Sequence, residues 1–332
     1  MSISNSNTSK GRHILAFFVR WFLLFLVFAV GIGFGIAEPL FFKSGNLLEV
    51  MRSSVTLSIM ATGLCFVFSV GEIDFAAGLE MSLGAVCIGK IMDIPAFANF
   101  YILAVLLVLG IMAFVGFVNS VLVVRIGIPA FIATLGMSTM LSGICKYLTG
   151  GGNFISRNWP PSFTAIGQRF TFGVIPNPIW VLLGCALIAY MLLSKTKYGR
   201  FLYAVGANAS ASAHVGINVQ RTKALGFMLC SMFIGMAGIV SSSTIRMVSP
   251  TMGSESMLGA ISALMLGATF LRPGVFNIPG AVLGGILLAI ISNGLIMINA
   301  SYWLKDVVQA SILLLSVGFI SFLGTGLKVK TL

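Results

Sequence analysis

Charged residues are scarce in this chain: they make up 8% of its 332 residues, whereas 58% are hydrophobic. A soluble domain of this size carries roughly 25% charged residues. The composition therefore excludes a soluble domain and predicts an all-α protein that crosses a membrane many times. The formal net charge is +12. Because the basic residues are spread through short loops between apolar runs, we attribute this charge to membrane topology and expect no nucleic-acid partner.

Patterns for metal and phosphate binding are also lacking. The two histidines, His13 and His214, are too few and too far apart for a metal site, and no H-E-x-x-H motif occurs. The five cysteines form no C-x-x-C pair and lie inside apolar runs, which indicates small buried thiols. The chain contains no G-x-x-x-x-G-K-[ST] loop. We therefore expect no catalysis and no metal or cofactor site in this chain.

Long apolar runs dominate the sequence instead. A transmembrane helix needs about 20 mostly apolar residues, and ten runs approach or exceed that length, which predicts about ten transmembrane helices. No segment between them is large enough to fold alone, so residues 1–332 are expected to form one transmembrane domain. The runs lie at approximately residues 14–37, 51–70, 74–92, 98–122, 129–148, 177–194, 224–245, 256–271, 279–298 and 304–325.

The distribution of Lys and Arg predicts the orientation, since these residues are enriched on the cytoplasmic side. With both termini in the cytoplasm, twelve of the twenty basic residues fall on that side. The tails 1–13 and 326–332 and the segment 195–223 are then cytoplasmic, and the loop 149–176 is expected to form an ordered periplasmic cap. The twelve residues are Lys10, Arg12, Arg20, Arg125, Lys195, Lys197, Arg200, Arg221, Lys223, Arg272, Lys328 and Lys330.

The longest polar interruption runs from Ser194 to Lys223. Five basic residues bracket a core rich in Gly, Ala, Ser and Asn. Charges in hydrocarbon are costly, so this segment is expected to face water on the cytoplasmic side. A short helix of small residues in that position is typical of a surface on which a second protein docks.

A second polar break, Gly71–Gly78 with the sequence GEIDFAAG, separates two apolar runs. Its two acids and its flanking glycines predict a hairpin or an unwound helix. Two interpretations remain open. In one, Asp74 only caps a helix that starts close to it. In the other, Glu72 and Asp74 line or gate a substrate pathway, because acids at membrane depth usually face protein or water.

Polar residues inside the apolar runs are further candidates for a pathway, since a hydroxylated solute needs hydrogen-bonding groups along a pore. Asn119 and Asn293 are the stronger candidates because a buried amide needs several partners. Thr134 is a third candidate. The alternative for each is a hydrogen bond between helices, worth about 1 kcal/mol. Glycine pairs at Gly31/Gly35 and Gly280/Gly284 predict close helix contacts and nothing more.

Several motifs occur together in one order. Residues 71–78 (GEIDFAAG) are similar to G-[GE]-I-D-[LV]-S-x-G, and residues 129–136 (PAFIATLG) are similar to P-x-F-[IV]-x-T-L-G. The stretches TKYGR, YAVGAN and GINV within residues 196–219 are similar to T-x-[FY]-G-R, [YF]-A-[IV]-G-x-N and G-I-N-V. NGL at 293–295 and VV at 307–308 follow. From about residue 47 to residue 322 the chain thus resembles the permease subunits of ribose-type ABC importers, within the branched-chain-amino-acid/ribose permease superfamily.

The resemblance implies a type II-like importer permease in a bacterial inner membrane that moves a monosaccharide or a related polyol. The implied partners are a second permease copy or homologue, a cytoplasmic ATPase of two chains or one double chain, and a periplasmic substrate-binding protein. ATP and Mg²⁺ would be bound by the ATPase. Residues 206–216 would form the coupling helix that docks on it. The implied coupling residues are Gly199, Arg200, Gly206, Asn208, Ala211, Gly216 and Asn218.

Two segments depart from the family pattern. Residues 208–212 (NASAS) stand where the family has N-P-x-A-A, often with an acid, and a neutral coupling helix would suit a differently charged ATPase groove. Residues 267–274 (GATFLRPG) replace G-G-T-S-L-x-G-G-x-G. Phe270, Arg272 and Pro273 there replace small or flexible residues, which is expected to alter gating near the inner mouth.

A self-sufficient secondary carrier or channel that uses Glu72 and Asp74 for ion coupling is the rival hypothesis. A carrier needs no docking helix, and it more often shows internal repeats with broken helices in both halves. Here only one acidic break is found. A membrane-embedded enzyme is set aside because no nucleophile, metal set or acid–base pair is apparent.

Overall fold

The computed structural model describes residues 6–97, 99–155 and 159–328, with side chains from residue 21 to residue 318 in those ranges. Thirteen α-helices occur in these ranges. They are α1 Ser6–Ala37, α2 Ser44–Ser69, α3 Ala77–Met92, α4 Tyr101–Ser120, α5 Ala130–Thr149, α6 Pro161–Gln168, α7 Pro178–Tyr190, α8 Lys197–Ala207, α9 Ala209–His214, α10 Val219–Ile245, α11 Ser254–Gly267, α12 Ile278–Met297 and α13 Tyr302–Lys328.

Shorter helical turns extend or join these elements. Helices α4 and α7 continue without a break into π-helical turns, Val121–Arg125 and Met191–Lys195, and 3₁₀ turns lie at Pro39–Phe42 and Pro95–Phe97. With the π-helical turns included, the helical segments that begin with α4 and α7 are 25 and 18 residues long.

A two-stranded hairpin is the exception to the all-α prediction. Strand β1 (Phe170–Thr171) pairs antiparallel with β2 (Ile175–Pro176). Phe172 and Gly173 between them both have positive φ angles, +55° and +70°, which turn the chain sharply. Strands of two residues are too short for an alternating pattern to show in the sequence, which is why the prediction missed them.

Six helical segments in the described residues are long and apolar enough to cross a membrane, so the chain is polytopic. Helices α3 and α11, with 16 and 14 residues, are shorter than the roughly 20 residues of a span. The predicted spans 74–92 and 256–271 therefore correspond to short helices, and the total of about ten stays a prediction. The six are Ser44–Ser69, Tyr101–Arg125, Ala130–Thr149, Pro178–Lys195, Val219–Ile245 and Ile278–Met297.

Helix α10 is the centre of the bundle and packs against α2, α3 and α4. Glycines allow these contacts: a Cβ atom added to Gly63, Gly84 or Gly116 would lie 2.6–2.9 Å from backbone atoms of α10. The close contact predicted at Gly280 and Gly284 is confirmed, since added Cβ atoms would lie 2.1 Å from carbonyl oxygens of α11. The one predicted at Gly31 and Gly35 is wrong, because a Cβ atom on Gly31 meets no described atom within 4 Å and the atoms nearest to one on Gly35 belong to the Phe42 ring. All five cysteines are free thiols and four are buried, as predicted.

The described part of the loop 149–176 packs on one end of this bundle. Trp159 is buried, and its Nε1–H donates to the Gly89 carbonyl at the end of α3 (3.0 Å). The Ser243 hydroxyl of α10 donates to the Phe163 carbonyl of α6 (2.8 Å). The loop is therefore an ordered layer over α3 and α10. Its periplasmic location stays a prediction.

Candidate functional site

The chain is broken between α2 and α3 at the opposite end of the bundle. Helix α2 ends at Ser69, and Gly71 adopts a left-handed conformation (φ +82°) that turns the chain toward α3. Residues 70–76 are not helical, yet Asp74 and Ala76 are fully buried. Irregular backbone at membrane depth is tolerated only where it is buried in protein or lines a cavity. The break predicted from the sequence is thus present, with Asp74 and Ala76 inside the protein and Gly71 and Ile73 exposed.

Asp74 organises the turn that precedes α3. One carboxylate oxygen, Oδ1, accepts a hydrogen bond from the Ala76 N–H (2.8 Å). Helix α3 itself begins at Ala77, so Asp74 supports the turn before the first helical residue and does not bond the first-turn N–H groups as a standard N-cap does. The other oxygen, Oδ2, has no hydrogen-bond partner among the described residues. Support of this turn therefore explains one carboxylate oxygen of Asp74 and leaves the other oxygen without a role.

Thr134 closes the break from the side of α5. Its hydroxyl oxygen accepts a hydrogen bond from the Phe75 N–H (3.0 Å) and its hydroxyl donates to the Ala130 carbonyl (2.7 Å). The Phe75 ring meets Phe131 edge to face, with centroids 5.3 Å apart. Thr134 thus satisfies a backbone donor that the helix break leaves without a helical partner.

Glu80, which the sequence analysis missed, is the centre of a buried polar cluster. It is fully buried in the first turn of α3. Its Oε1 accepts hydrogen bonds from Asn119 Nδ2 of α4 (3.0 Å) and from the Ser231 hydroxyl of α10 (2.9 Å). Three helices are therefore tied together by one carboxylate. A signal was available, because Glu80 is an isolated acid within an apolar run and such acids are functional candidates by default.

Three buried oxygen atoms in this region have no partner among the described residues: Asp74 Oδ2, Glu80 Oε2 and Asn119 Oδ1. The two carboxylates form no described salt bridge, and Asp74 lies close enough to Glu80 for their negative charges to repel each other. Buried acceptors without donors are unfavourable. Asp74, Glu80 and Asn119, the carboxyl–amide cluster, are thus suited to accept hydrogen bonds from hydroxyl groups or water.

Glu72 lies at the edge of the break and pairs with Lys223 near the start of α10, within hydrogen-bond distance. The two side chains are 16% and 23% exposed. This ion pair connects the break to the end of the segment 195–223, across 151 residues of sequence. Glu72 is therefore not a free acid facing a pathway in this conformation.

Within the segment 195–223, polar caps and glycines separate three helices. The Thr196 hydroxyl caps α8, Asn208 Oδ1 accepts from the Ala211 N–H and caps α9 (2.9 Å), and Asn218 Oδ1 caps α10. Gly216, between α9 and α10, has φ +84°. Helix α9 is left as a short element of small residues, in which Ala211 is exposed.

Two glycines of this segment permit close backbone contact. A Cβ atom on Gly199 would lie 1.9 Å from the Leu193 carbonyl oxygen, so the tight junction of α7 and α8 needs glycine. A Cβ atom on Gly206 would lie 2.2 Å from the Ser69 carbonyl oxygen at the end of α2. The segment therefore touches the break twice, through Gly206 and through the Glu72–Lys223 pair.

Comparison with known proteins identifies the chain. Residues 46–317 match the family described as "Branched-chain amino acid transport system / permease component". The chain belongs to this permease family. It is 32% identical over 286 residues to the ribose import permease protein RbsC of Escherichia coli strain K12. The matched region covers 84% of this chain and 87% of that protein. The permease is thus a multi-pass membrane transport subunit and not an enzyme, and the resemblance stated above is confirmed.

Other relatives include permeases for two kinds of solute. The ribose import permease protein RbsC of Haemophilus influenzae is 29% identical over 329 residues, covering 98% of this chain and 99% of that protein. The autoinducer 2 import system permease protein LsrC of Klebsiella pneumoniae is 31% identical over 309 residues, covering 92% of this chain and 85% of that protein.

Asn293 is not part of the cluster in this permease. It lies on α12, half-buried, and its Oδ1 has no partner among the described residues. The next residue, Gly294, packs against the Phe34 ring of α1. No described hydrogen bond joins Asn293 to Asp74, Glu80 or Asn119. Asn293 therefore stays a separate pathway candidate.

The altered loop of the permease, residues 267–274, forms a compact turn. Leu271 has a positive φ angle of +63°, unusual for a residue with a branched side chain. Asn277 holds the loop by donating from Nδ2 to the Phe270 and Val275 carbonyls (both 3.0 Å), while its Oδ1 caps α12 through the Gly280 N–H (2.8 Å). The loop that carries the larger residues is thus held in one compact turn before α12 by the hydrogen bonds of Asn277.

We predict that the Glu72–Lys223 pair contributes measurably to stability. The single variants Glu72→Gln and Lys223→Gln should each destabilise the permease, and the double variant should lose less than their sum, with an interaction of about 0.5–1 kcal/mol for a partly exposed pair. Thermal unfolding of the four proteins in one detergent measures this. The exchanged pair, Glu72→Lys with Lys223→Glu, should recover stability. Strict additivity would contradict the contact.

Proposed function

We propose that this chain is the membrane-spanning subunit of an ATP-binding-cassette importer, energised by a separate ATPase, that moves a sugar or a similar small polar solute across the bacterial inner membrane. The observation that carries the proposal is that α8 and α10, which flank the short helix of small residues α9, both contact the break between α2 and α3, through Gly206 and Lys223. Permeases named for ribose and for autoinducer 2 among its relatives support a hydroxylated solute.

The coupling step would begin at α9. In this proposal α9 docks in a groove of the cytoplasmic ATPase, where Ala211 and its small neighbours allow the backbones to approach closely. Movement of α9 is passed to the break by Gly206 against Ser69 and by Lys223 against Glu72. Gly199 permits the tight start of α8, and Arg200 is an exposed cation in its first turn. Asn208, Gly216 and Asn218 set the limits of α9 and the start of α10.

The transported solute would pass near the carboxyl–amide cluster. Asp74, Glu80 and Asn119 each keep an unpaired acceptor, and sugar hydroxyls are hydrogen-bond donors. Alternating access then follows if ATP-driven closure of the ATPase changes the angle between α2 and α3 and opens this region to one side at a time. In this proposal the chain has about ten spans in a type II-like arrangement and both termini in the cytoplasm. It pairs with a second permease copy or a homologue.

The remaining partners follow from the same assembly. ATP and Mg²⁺ are bound by the ATPase, and this chain supplies no cofactor site of its own. A periplasmic substrate-binding protein delivers the solute at the end of the bundle covered by residues 149–176, where the ordered layer of α6 and the hairpin offers a docking surface.

An ATPase-stimulation experiment tests the proposal. The chain is co-expressed and co-purified with a candidate ATPase subunit, and ATP hydrolysis is measured in lipid with and without a candidate binding protein. Ala211→Trp should weaken ATPase docking about tenfold or more and abolish stimulation, because its bulk prevents close approach. Ala211→Ser, which stays small, should behave as the unmodified chain. Equal stimulation in both variants would show that α9 is not the docking helix.

A secondary carrier is the second candidate. The sequence assigned its ion coupling to Glu72 and Asp74, but Glu72 is paired with Lys223. Asp74 and Glu80, which are fully buried and each keep one unpaired oxygen, would take that role instead. The two functions differ in one result. Uptake by the chain alone in liposomes, driven by an ion gradient and without any ATPase, would support the carrier and exclude the importer subunit.

A further inference from the structure

A basic cavity of about 820 Å³ is lined partly by the segment 195–223 and borders the contact of Gly206 with Ser69, but the proposed coupling and pathway leave its interior without a ligand. Its walls come from the ends of α2 and α7, from α8 and from the loop before α12. Lys195, Arg200 and Arg272 line it, and its described lining contains no Asp or Glu. None of these three cations forms an ion pair with a described residue. The cavity therefore concentrates positive charge from three separate elements.

The cavity also has an aromatic wall that is held in place. The Tyr203 hydroxyl donates a hydrogen bond to the Phe276 carbonyl (2.6 Å), which fixes the loop before α12 against α8. Burial raises the pKa of the Tyr203 phenol above its ordinary value, so it stays a donor. Phe68 and Phe276 line the same space and meet edge to face, with centroids 5.4 Å apart. One part of the cavity thus offers cations and another offers apolar contact.

Helix α7 leads from the cavity along the outside of the bundle. Leu187 and Ile188 of α7 and Met191 of its π-helical turn are 63%, 57% and 50% exposed. Tyr190 at the end of α7 and three residues of the turn line the cavity. A surface of this kind accommodates acyl chains in a bilayer, and basic pockets between transmembrane helices bind phospholipid head groups. A free phosphate ion would fill only a small part of the volume.

We propose that this cavity binds the head group of an anionic phospholipid, with Lys195, Arg200 and Arg272 around the phosphate and the acyl chains along α7. We infer a lipid and not a soluble anion because the helix whose end lines this cavity also carries exposed apolar side chains that acyl chains could contact. The inference requires only that the helices span a membrane, so it stands or falls independently of ATPase coupling.

Lipid binding to the full chain tests the proposal. The purified chain is stripped of lipid in detergent, and binding of phosphatidylglycerol and of phosphatidylcholine is measured by native mass spectrometry. Phosphatidylglycerol should bind more tightly, and each of Lys195→Gln and Arg272→Gln should weaken it about fivefold. Lys197→Gln is the matched control, since Lys197 is an exposed cation of α8 that does not line the cavity; it should change binding less than twofold.

Three results would overturn the proposal. Equal loss in Lys197→Gln would mean that general surface charge attracts the lipid. Equal binding of the two lipids would mean that the three cations of the cavity do not select an anionic head group. Displacement of phosphatidylglycerol by inorganic phosphate at millimolar concentration would assign the cavity to a soluble anion. Thermal unfolding of each variant confirms that the protein compared is folded.

Discussion

Gly206→Ala is expected to destabilise the permease and to disconnect the segment 195–223 from the helix break. The added methyl group would lie 2.2 Å from the Ser69 carbonyl oxygen and 3.2 Å from the Gly71 nitrogen, both of which are backbone atoms that cannot rotate away. Helix α8 must therefore move from α2. Overpacking of this kind costs about 1–3 kcal/mol, and the thermal unfolding midpoint in detergent should fall accordingly.

Gly184→Ala on α7 is the control for this result. An added Cβ atom at Gly184 meets nothing within 4 Å, so the same chemical change should be neutral or should stabilise the helix slightly. If the importer proposal is correct, Gly206→Ala also loses binding-protein-stimulated ATP hydrolysis while Gly184→Ala retains it. Equal unfolding midpoints for the two variants would contradict the close contact at Gly206.

Glu80→Ala is expected to have the second large effect, because Glu80 joins α3, α4 and α10. The change leaves a cavity and removes the acceptor for two buried donors, Asn119 Nδ2 and the Ser231 hydroxyl. Core truncations and unpaired buried donors together cost about 2–5 kcal/mol. Thermal or chemical unfolding of the purified chain measures the loss.

Glu80→Gln separates the hydrogen bonds from the charge. Glutamine has the same shape and keeps an oxygen acceptor, so stability should stay within about 1 kcal/mol of the unmodified chain. A cycle with Asn119→Ala should show that the Glu80→Ala and Asn119→Ala effects are not additive, since both remove one contact. If Glu80→Ala is as stable as Glu80→Gln, the buried cluster does not hold the three helices together.

The candidate site was only partly visible in the sequence. The motif at 71–78 predicted the break. The structure places Asp74 within it and Thr134 of α5 in contact with it, whereas the sequence assigned these two residues to separate spans. Nothing in a sequence pattern connects those spans. Glu80 was missed because a run that is apolar on average hides a single acid, and Asn293 was grouped with Asn119 although the structure keeps them apart.

The coupling segment shows the same division. The sequence predicted one short helix of small residues, at 206–216, whereas the structure ends α8 at Ala207 and begins a separate α9 at Ala209. Asn208 and Asn218 cap α9 and α10 through hydrogen bonds to the backbone N–H three residues further along the chain. The use of Gly206 was different: the residue was assigned to docking on a partner, whereas its backbone lies against Ser69 of the same chain. Capping depends on residues three positions apart and can be read from the sequence, whereas the contact of Gly206 with Ser69 joins distant parts of the chain and cannot.

Apolar runs of membrane length, short basic loops and an ordered series of motifs are enough to place this chain among polytopic permeases. These features depend on composition and on neighbours along the chain. Which polar groups meet became known from the fold, because the Glu72–Lys223 and Glu80–Ser231 contacts each join residues 151 positions apart. Helices inside a membrane protein are apolar on most faces, so hydropathy does not specify their neighbours. Close packing of α10 against α2, α3 and α4 through small residues does.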